Sequence, residues 1–464
     1  MRKRMSALLA VLLCLAMVLG MAACNNTGDG SSTSDSGEPV DISTLAKWGE
    51  AMKAKYDGTT ITAAMASHPS TTAFQDMVDE FTELTGINVQ WDVVEETNLK
   101  QKELTDATSG GAYDVLMVDA FWINEFASKN VLVPLEDYLN NANKTPEWFD
   151  YEDIMAAYRN GISKADDVIY GIPSAGETRF IAYRTDLFEK YDKEPPETME
   201  EFLELAQFFT GREEGLYGVS MRAQRGIHFA SGWMSLMYNF GGGFVDQSTI
   251  GSDEIKVTCT DPKTVESLQY FVDLLKCAPP DVGTYTHEEA LGAFLAGKTA
   301  MWLDATALAN QITDPESSTV ADKVAFVPTP TGPEGDGAAL AGWNLGISQK
   351  SENKDAAWAF ITFMVSKEKS VEYVKNGGVS TRSSCFENEE LAAENPSYPA
   401  QKEALEAANG LVEKGISWIP QVADSNALLD IAGKYGSDCL AGNISAQEAC
   451  ESMQTEMEDL LADS

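Results

Sequence analysis

Short apolar segments alternate with amphipathic segments through the first third of the chain. The predicted order is a strand at Thr60–Ser67, a helix ended by Gly86, a strand of alternating apolar residues at Ile87–Val93, a polar helix from about Asn98 to Ser109, and a buried strand at Tyr113–Val118. Strands and helices in this order are typical of a parallel sheet with helices on its faces.

Later segments keep this character. Amphipathic helices are predicted at Met199–Phe209, Asp261–Lys276 and Lys354–Val365, and a strand at Ala300–Leu303. The whole body is therefore predicted to be α/β. Ligands of open α/β sheets bind beyond the carboxyl ends of strands. This rule predicts ligand-binding residues in the loops at 67–68, 119–122 and 304–306.

Composition supports a folded, water-soluble body and restricts its partners. Of the 464 residues 44% are apolar and 23% charged, which fits neither a disordered chain nor a polytopic membrane protein. The formal net charge is −39, and it becomes −42 when three basic residues leave with the leader. Such a surface repels phosphate backbones, so no nucleic-acid partner is expected.

The N-terminus has the pattern of an export signal. Residues 1–23 contain a basic start, a short apolar run and small residues, and Met21–Cys24 resembles the bacterial lipobox. We expect Cys24 to be the lipidated first residue of the mature protein and 24–43 to be a flexible, Gly/Ser/Thr/Asp-rich tether. A plain signal peptide with a chance cysteine is the alternative.

Motifs that suggest catalysis or metal binding are weak. Gly292–Thr299 matches the phosphate-loop pattern, but here the helix is predicted before the loop and the strand after it. His287 begins a sequence like HExxH that has Leu291 at the second ligand position. Five cysteines remain in the body, and whether Cys439 pairs with Cys450 stays open. No catalytic residue, metal or cofactor is therefore expected.

Several segments in a fixed order resemble one protein family. They are Tyr170–Pro173, Tyr183–Phe188, Phe240–Gly242, Phe294–Trp302, Trp343–Ile347 and Lys354–Ile361. Together they resemble the extracellular solute-binding proteins of family 1, the sugar receptors of ABC importers. Met301–Thr306 and Asp322–Val324 look most like the branch that takes monosaccharides and sugar alcohols.

The resemblance implies a two-lobed, periplasmic-binding-protein-like fold of class II, with a hinge and an interlobe cleft that closes over solute. The predicted assignments are lobe 1 at 44–173 and 327–378, and lobe 2 at 174–326 and 379–464.

Solute contacts are expected from aromatic plates and from polar side chains that face sugar hydroxyls. The aromatic candidates, each with core packing as the alternative, are Trp122, Trp233, Trp343 and Trp418. The polar candidates are His68, Glu177, Arg179, Arg222, Asp304 and Arg382. His68 could equally cap the helix after it, Asp304 could cap a helix, and Glu177 with Arg179 could form a surface ion pair.

These features predict a monomeric, non-enzymatic lipoprotein on the outer face of the cell membrane. It would capture a carbohydrate or sugar alcohol and deliver it to an ABC permease. A second hypothesis keeps the fold but changes the cargo to a peptide, amine or metal complex. A third is an exported enzyme that acts on glycosides, for which no distinctive carboxylate pair is found.

Overall fold

The computed structural model describes residues 40–462 except 253, 338 and 423. The predicted signal peptide, Cys24 and nearly all of the tether lie outside the described residues. Within the described part, no helix combines the length and apolar character needed to cross a membrane.

Eleven strands are described. They are β1 (Thr60–Ala66), β2 (Asn88–Val94), β3 (Val115–Asp119), β4 (Lys164–Ala165), β5 (Val168–Ile169), β6 (Ile172–Glu177), β7 (Arg179–Arg184), β8 (Tyr217–Ser220), β9 (Thr299–Ala305), β10 (Val324–Pro328) and β11 (Ala341–Ile347).

The α-helices of the described residues surround these strands. They are Leu45–Tyr56, Pro69–Thr85, Glu96–Ser109, Ile123–Ser128, Glu136–Leu139, Ala156–Gly161, Thr185–Lys190, Met199–Phe209, Ile227–Met237, Pro262–Leu275, His287–Leu295, Ala309–Thr313, Lys354–Met364, Lys367–Lys375, Ser383–Phe386, Glu389–Glu394, Tyr398–Glu413, Ser425–Leu440 and Ala446–Ala462.

Two sheets divide the body into two lobes. Sheet 1, in lobe 1, has the order β2-β1-β3-β11-β6, with β1 parallel to β2 and β3, and β11 antiparallel to β3 and β6. Sheet 2, in lobe 2, has the order β10-β7-β9-β8. The predicted α/β class and two-lobed architecture are therefore confirmed.

The first crossing between the lobes lies at Thr178, the single residue between β6 and β7. The predicted change at 173/174 falls inside β6. Pro173 pairs with Asn344 there, and the ladder tolerates this proline because β6 is an edge strand.

The other two crossings also lie later in the chain than 326/327 and 378/379. Residues 327 and 328 belong to β10 in sheet 2, so the second crossing lies between β10 and β11. After 378 the chain still packs on lobe 1, where Arg382 forms a β-bridge with Ile154. The helix Tyr398–Glu413 is the first later element packed on β7 and β10 of sheet 2.

The apolar faces predicted from sequence form the core. Phe74, Met77 and Phe81 are buried on one face of the helix Pro69–Thr85, and Gly86 ends that helix with a φ of 71°. Fully burying such a side chain contributes roughly 1.5–3 kcal/mol. The helix His287–Leu295 precedes β9, so the phosphate-loop match lies in the order helix, loop, strand, as expected.

Candidate functional site

A cavity lies in the cleft where the carboxyl end of β3 and the crossing strands meet lobe 2. Its volume is about 80 Å³. The lining residues are His68, Glu96, Asp119, Phe121, Glu177, Arg179, Arg222, Ser231, His287, Ala305, Ala307, Leu308, Ala341, Gly342 and Trp343. Both lobes therefore contribute to one small chamber with polar and apolar walls.

Lobe 2 supplies two guanidinium groups that share one carboxylate. Arg222 donates from Nε and Nη2 to the two oxygens of Asp304, at 2.9 and 2.5 Å. Arg179 Nη1 lies 3.5 Å from Asp304 Oδ1. Burial opposes ionisation of Asp304, but the charges of Arg222 and Arg179 hold its pKa well below the ordinary value. Asp304 is therefore an anion at neutral pH and fixes both arginines.

Arg179 retains an unused donor. Its Nε and Nη2 donate to the hydroxyls of Ser235 and Ser231, at 3.3 and 3.1 Å. Its Nη1 is buried and has no hydrogen-bond partner among the described residues. A buried donor without an acceptor is unfavourable by roughly 1–3 kcal/mol, so this position favours a ligand oxygen.

Lobe 1 supplies three carboxylates. Asp119 accepts the Phe121 N–H at 2.7 Å, and burial, together with the charge of Glu96, raises its pKa well above the ordinary value. Burial also opposes ionisation of Glu177, but the hydrogen bond with His68 and the charge of Arg179 lower its pKa. Glu96 keeps contact with solvent at the mouth of the cavity, and partial desolvation raises its pKa.

Histidines complete the polar lining. His68 Nδ1 accepts the Ser70 N–H at 3.1 Å, so the proton on Nε2 faces Glu177 at 3.3 Å. His68 therefore caps its helix and lines the cavity at the same time. Burial and the charge of Arg222 lower the pKa of His287 to about 4, so this ring is neutral at pH 7.

One indole forms the aromatic wall. Trp343 is 4% exposed and packs edge-to-face on Trp122, with ring centroids 5.4 Å apart. Gly342 precedes it with a φ of 142°, and a Cβ there would lie 2.1 Å from the Ala175 carbonyl oxygen. Only glycine therefore allows β11 to approach β6 closely enough to place Trp343 at the cavity.

Comparison with known proteins identifies the family. The model of the family described as bacterial extracellular solute-binding protein matches residues 66–370. The chain belongs to this family. The predicted resemblance is thereby confirmed, and with it an extracytoplasmic location.

Several known proteins are similar to this chain over most of its length. The erythritol/L-threitol-binding protein of Mycolicibacterium smegmatis is 29% identical over 74% of this chain and 75% of its own. The mannitol-binding protein of Pseudomonas aeruginosa is 27% identical over 79% of this chain and 85% of its own. A solved ABC transporter solute-binding protein from Agrobacterium radiobacter in complex with ribitol has a TM-score of 0.78, 26% identity, and coverage of 87% of this chain and 99% of its own.

This solute-binding protein brings five of the predicted site residues together at the cavity. They are His68, Glu177, Arg179, Arg222 and Trp343. Three others lie directly behind the lining: Asp304 holds both arginines, Trp122 supports Trp343, and Trp418 lies 5.6 Å from the Arg179 guanidinium. Asp304 caps no helix, because β9 continues to Ala305.

Two predicted residues lie elsewhere. Trp233 is buried within lobe 2 and donates from Nε1 to Ser267 Oγ at 2.9 Å. Arg382 donates to the carbonyl oxygens of Phe149, Asp150 and Val365 and forms an ion pair with Asp153, so its guanidinium is fully occupied within lobe 1. The structure therefore assigns packing to Trp233 and a structural tie to Arg382 instead of a place at the cavity.

Sequence reasoning missed several lining residues. Asp119 ends β3 and Phe121 follows it in the segment that the strand-end rule had selected, but neither had been named as a site residue. Glu96 follows β2, and the same rule could have found it. His287 was considered only as part of a failed zinc motif, although it begins a helix that faces the cleft.

The described residues contain no cluster of three or more His, Cys, Asp or Glu side chains arranged to hold a metal ion. The five cysteines of the described body are all buried and unpaired, so Cys439 and Cys450 do not form a disulfide in this structure.

Proposed function

We propose that this protein is a lipid-anchored, non-enzymatic receptor that captures a sugar alcohol or a monosaccharide outside the cell and delivers it to an ABC permease. The anchor would be Cys24, and the receptor would act as a monomer. One observation carries the cargo assignment: the buried Nη1 of Arg179 makes a 3.5 Å ion pair with Asp304 but no hydrogen bond among the described residues, and Arg179 lines a chamber that also holds three carboxylates.

A hydroxyl group fits between these walls because it donates and accepts at the same time. It can accept from Arg179 and donate to Asp119 or Glu177. An uncharged molecule with several hydroxyls therefore makes many bonds without adding net charge. Trp343 offers a flat apolar surface for its C–H groups.

The size of the chamber restricts the cargo. Fifteen residues form the chamber, which suits a single polyol or monosaccharide better than an oligosaccharide. The relatives with known or named cargo include erythritol/L-threitol-, mannitol- and ribitol-binding proteins, which supports this size class.

An amine is the second candidate cargo, because Glu96, Asp119 and Glu177 place three carboxylates on one wall. The Arg222 and Arg179 charges opposite them disfavour a cation. A thermal-shift panel distinguishes a polyol cargo from an amine cargo. The panel compares erythritol, ribitol and D-mannitol with spermidine, glycine and maltose.

We expect at least one of the three polyols to raise the melting temperature, since a ligand at 100 times its Kd stabilises the folded form by about 2.7 kcal/mol. Spermidine, glycine and maltose should leave it unchanged. A shift with spermidine and none with polyols would replace the proposed cargo with an amine. Turnover of a glycoside would contradict the proposed receptor function and favour an enzyme.

A matched pair of variants checks that binding occurs in this cavity. Glu96→Ala should weaken polyol binding about tenfold, because it removes a charged acceptor at the mouth. Glu95→Ala, at the exposed neighbouring residue outside the lining, should bind as the wild type does. Equal affinities for the two variants would contradict the assigned site.

A further inference from the structure

A second set of contacts joins the lobes beside the cavity. The Phe121 carbonyl oxygen, in the loop after β3 of lobe 1, accepts hydrogen bonds from Asn426 Nδ2 at 3.1 Å and from Ser425 Oγ at 3.3 Å. Asn124 Nδ2 donates to Gln421 Oε1 at 3.2 Å. The partners belong to lobe 2, because the helix Ser425–Leu440 packs on the helix Ile227–Met237.

An aromatic contact links these bonds to the cavity. The Phe121 ring meets Trp418 with centroids 5.4 Å apart, and Trp418 lies in turn against the guanidinium of Arg179. Trp418 is fixed in lobe 2, since its Nε1 donates to the Met234 carbonyl and its own carbonyl accepts from the Tyr238 hydroxyl. Phe121 and Arg179 line the cavity, whereas Trp418 does not.

We propose that Gln421 and Asn426 are positioning residues that hold the lobes together and set cargo affinity and residence time without touching the cargo. We name the set of contacts made by Trp418, Gln421, Ser425 and Asn426 with lobe 1 the clasp. This inference rests on the proposed function, because it concerns how that cargo is retained.

Thermodynamic linkage couples the contacts between the lobes to the binding of cargo. Contacts made only when the lobes meet favour the closed form, and a cargo that binds the closed form gains apparent affinity by the same factor. Cargo leaves only after the lobes separate. Loss of clasp contacts should therefore appear chiefly as faster dissociation.

The test uses the full mature protein with ribitol and D-mannitol as probes. Gln421→Ala, Asn426→Ala and the double variant are compared with Gln447→Ala, a matched control whose side chain bonds, among the described residues, to Glu451 on its own helix. Calorimetry gives Kd, stopped-flow fluorescence gives the dissociation rate, and melting is followed with and without polyol.

Each single clasp variant should dissociate about three to ten times faster than the wild type, and the double variant faster still. The unliganded melting temperature should fall less than the melting temperature with polyol, because only the closed part of the unliganded population makes these contacts. Gln447→Ala should match the wild type in every measurement.

Wild-type dissociation rates in the double variant would overturn the clasp, and so would a lower unliganded melting temperature with unchanged dissociation. If neither polyol binds the wild type, the proposed cargo fails, and X-ray scattering of the unliganded proteins decides the clasp. A more expanded double variant then supports it, and identical profiles overturn it.

Discussion

Asp119 illustrates how a binding site works against the stability of its own fold. Its carboxylate is held by the Phe121 N–H but lies near Glu96 and Glu177, and burial raises its pKa. The folded protein therefore binds this proton more tightly than the unfolded chain does. Stability contributed by the protonated form is fully present below the ordinary pKa of 3.8 and is lost as the pH rises through the raised value.

Asp119→Asn should consequently stabilise the unliganded protein at pH 7, because the amide keeps the acceptor and removes the charge. Because the proton is bound more tightly in the folded protein, we expect a gain in the free energy of unfolding at pH 7 that disappears near pH 4. Urea unfolding at pH 4, 5.5 and 7 measures it, with polyol binding followed in parallel.

Asp322→Asn, at an exposed aspartate of lobe 2, provides the control and should show no such pH-dependent gain. An Asp119→Asn protein that is less stable than the wild type at pH 7 would contradict the conclusion that the Asp119 charge destabilises the fold.

Individual site residues were predictable only in part. Trp233 and Trp343 had similar sequence contexts, but Trp233 packs on helices within lobe 2 whereas the irregular register of β11 between Trp343 and Asn344 brings Trp343 to the cleft. The alternation of apolar and polar residues along the sequence does not predict such a bulge. Arg179 and Arg382 were likewise indistinguishable until the partners of each guanidinium were known.

At the scale of elements, Arg382 holds two irregular segments against a helix of lobe 1. Its guanidinium donates to the Phe149 and Asp150 carbonyls on one side and to the Val365 carbonyl, just after the helix Lys354–Met364, on the other. These carbonyls have no partner among the described strands, so one side chain supplies donors that a sheet would otherwise provide.

Arg382→Lys should therefore lower the free energy of unfolding by about 2–4 kcal/mol, because an ammonium cannot span carbonyls on both sides. Polyol affinity of the folded variant should stay at the wild-type level. Arg225→Lys, at an exposed ion pair with Asp438, should change stability by less than about 1 kcal/mol. Unchanged stability with lost binding in Arg382→Lys would return Arg382 to the site.

Elements with strong periodicity were predicted well. The helix Met199–Phe209 has the predicted bounds, and β9 extends its predicted strand by one residue at one end and two at the other. Crossings are harder to predict than periodic elements, because they depend on which sheet a strand joins. A proline at position 173 suggested a break, yet an edge strand accommodates it.

At the scale of the molecule, the two walls of the cleft carry opposite charges. Carboxylates line the lobe 1 side and guanidiniums the lobe 2 side, and the cavity between them is small. Cargo that bridges the walls should therefore favour closed lobes.

Small-angle X-ray scattering should show the radius of gyration decreasing when polyol is added, toward about 22 Å, the value for a compact body of some 420 residues. Glu96→Ala should need more polyol for the same contraction. A profile that is identical with and without saturating polyol would contradict hinge closure.

The strand order has a consequence for how the chain matures. β11 lies between β3 and β6 in sheet 1, although more than 160 residues separate it in sequence from β6. During synthesis the first lobe cannot complete its sheet until Ile347 has emerged, because among the described strands β6 pairs in that sheet with β11 alone. A chain that must pass through a membrane before folding gains time from this late insertion, since long-range pairing delays premature compaction.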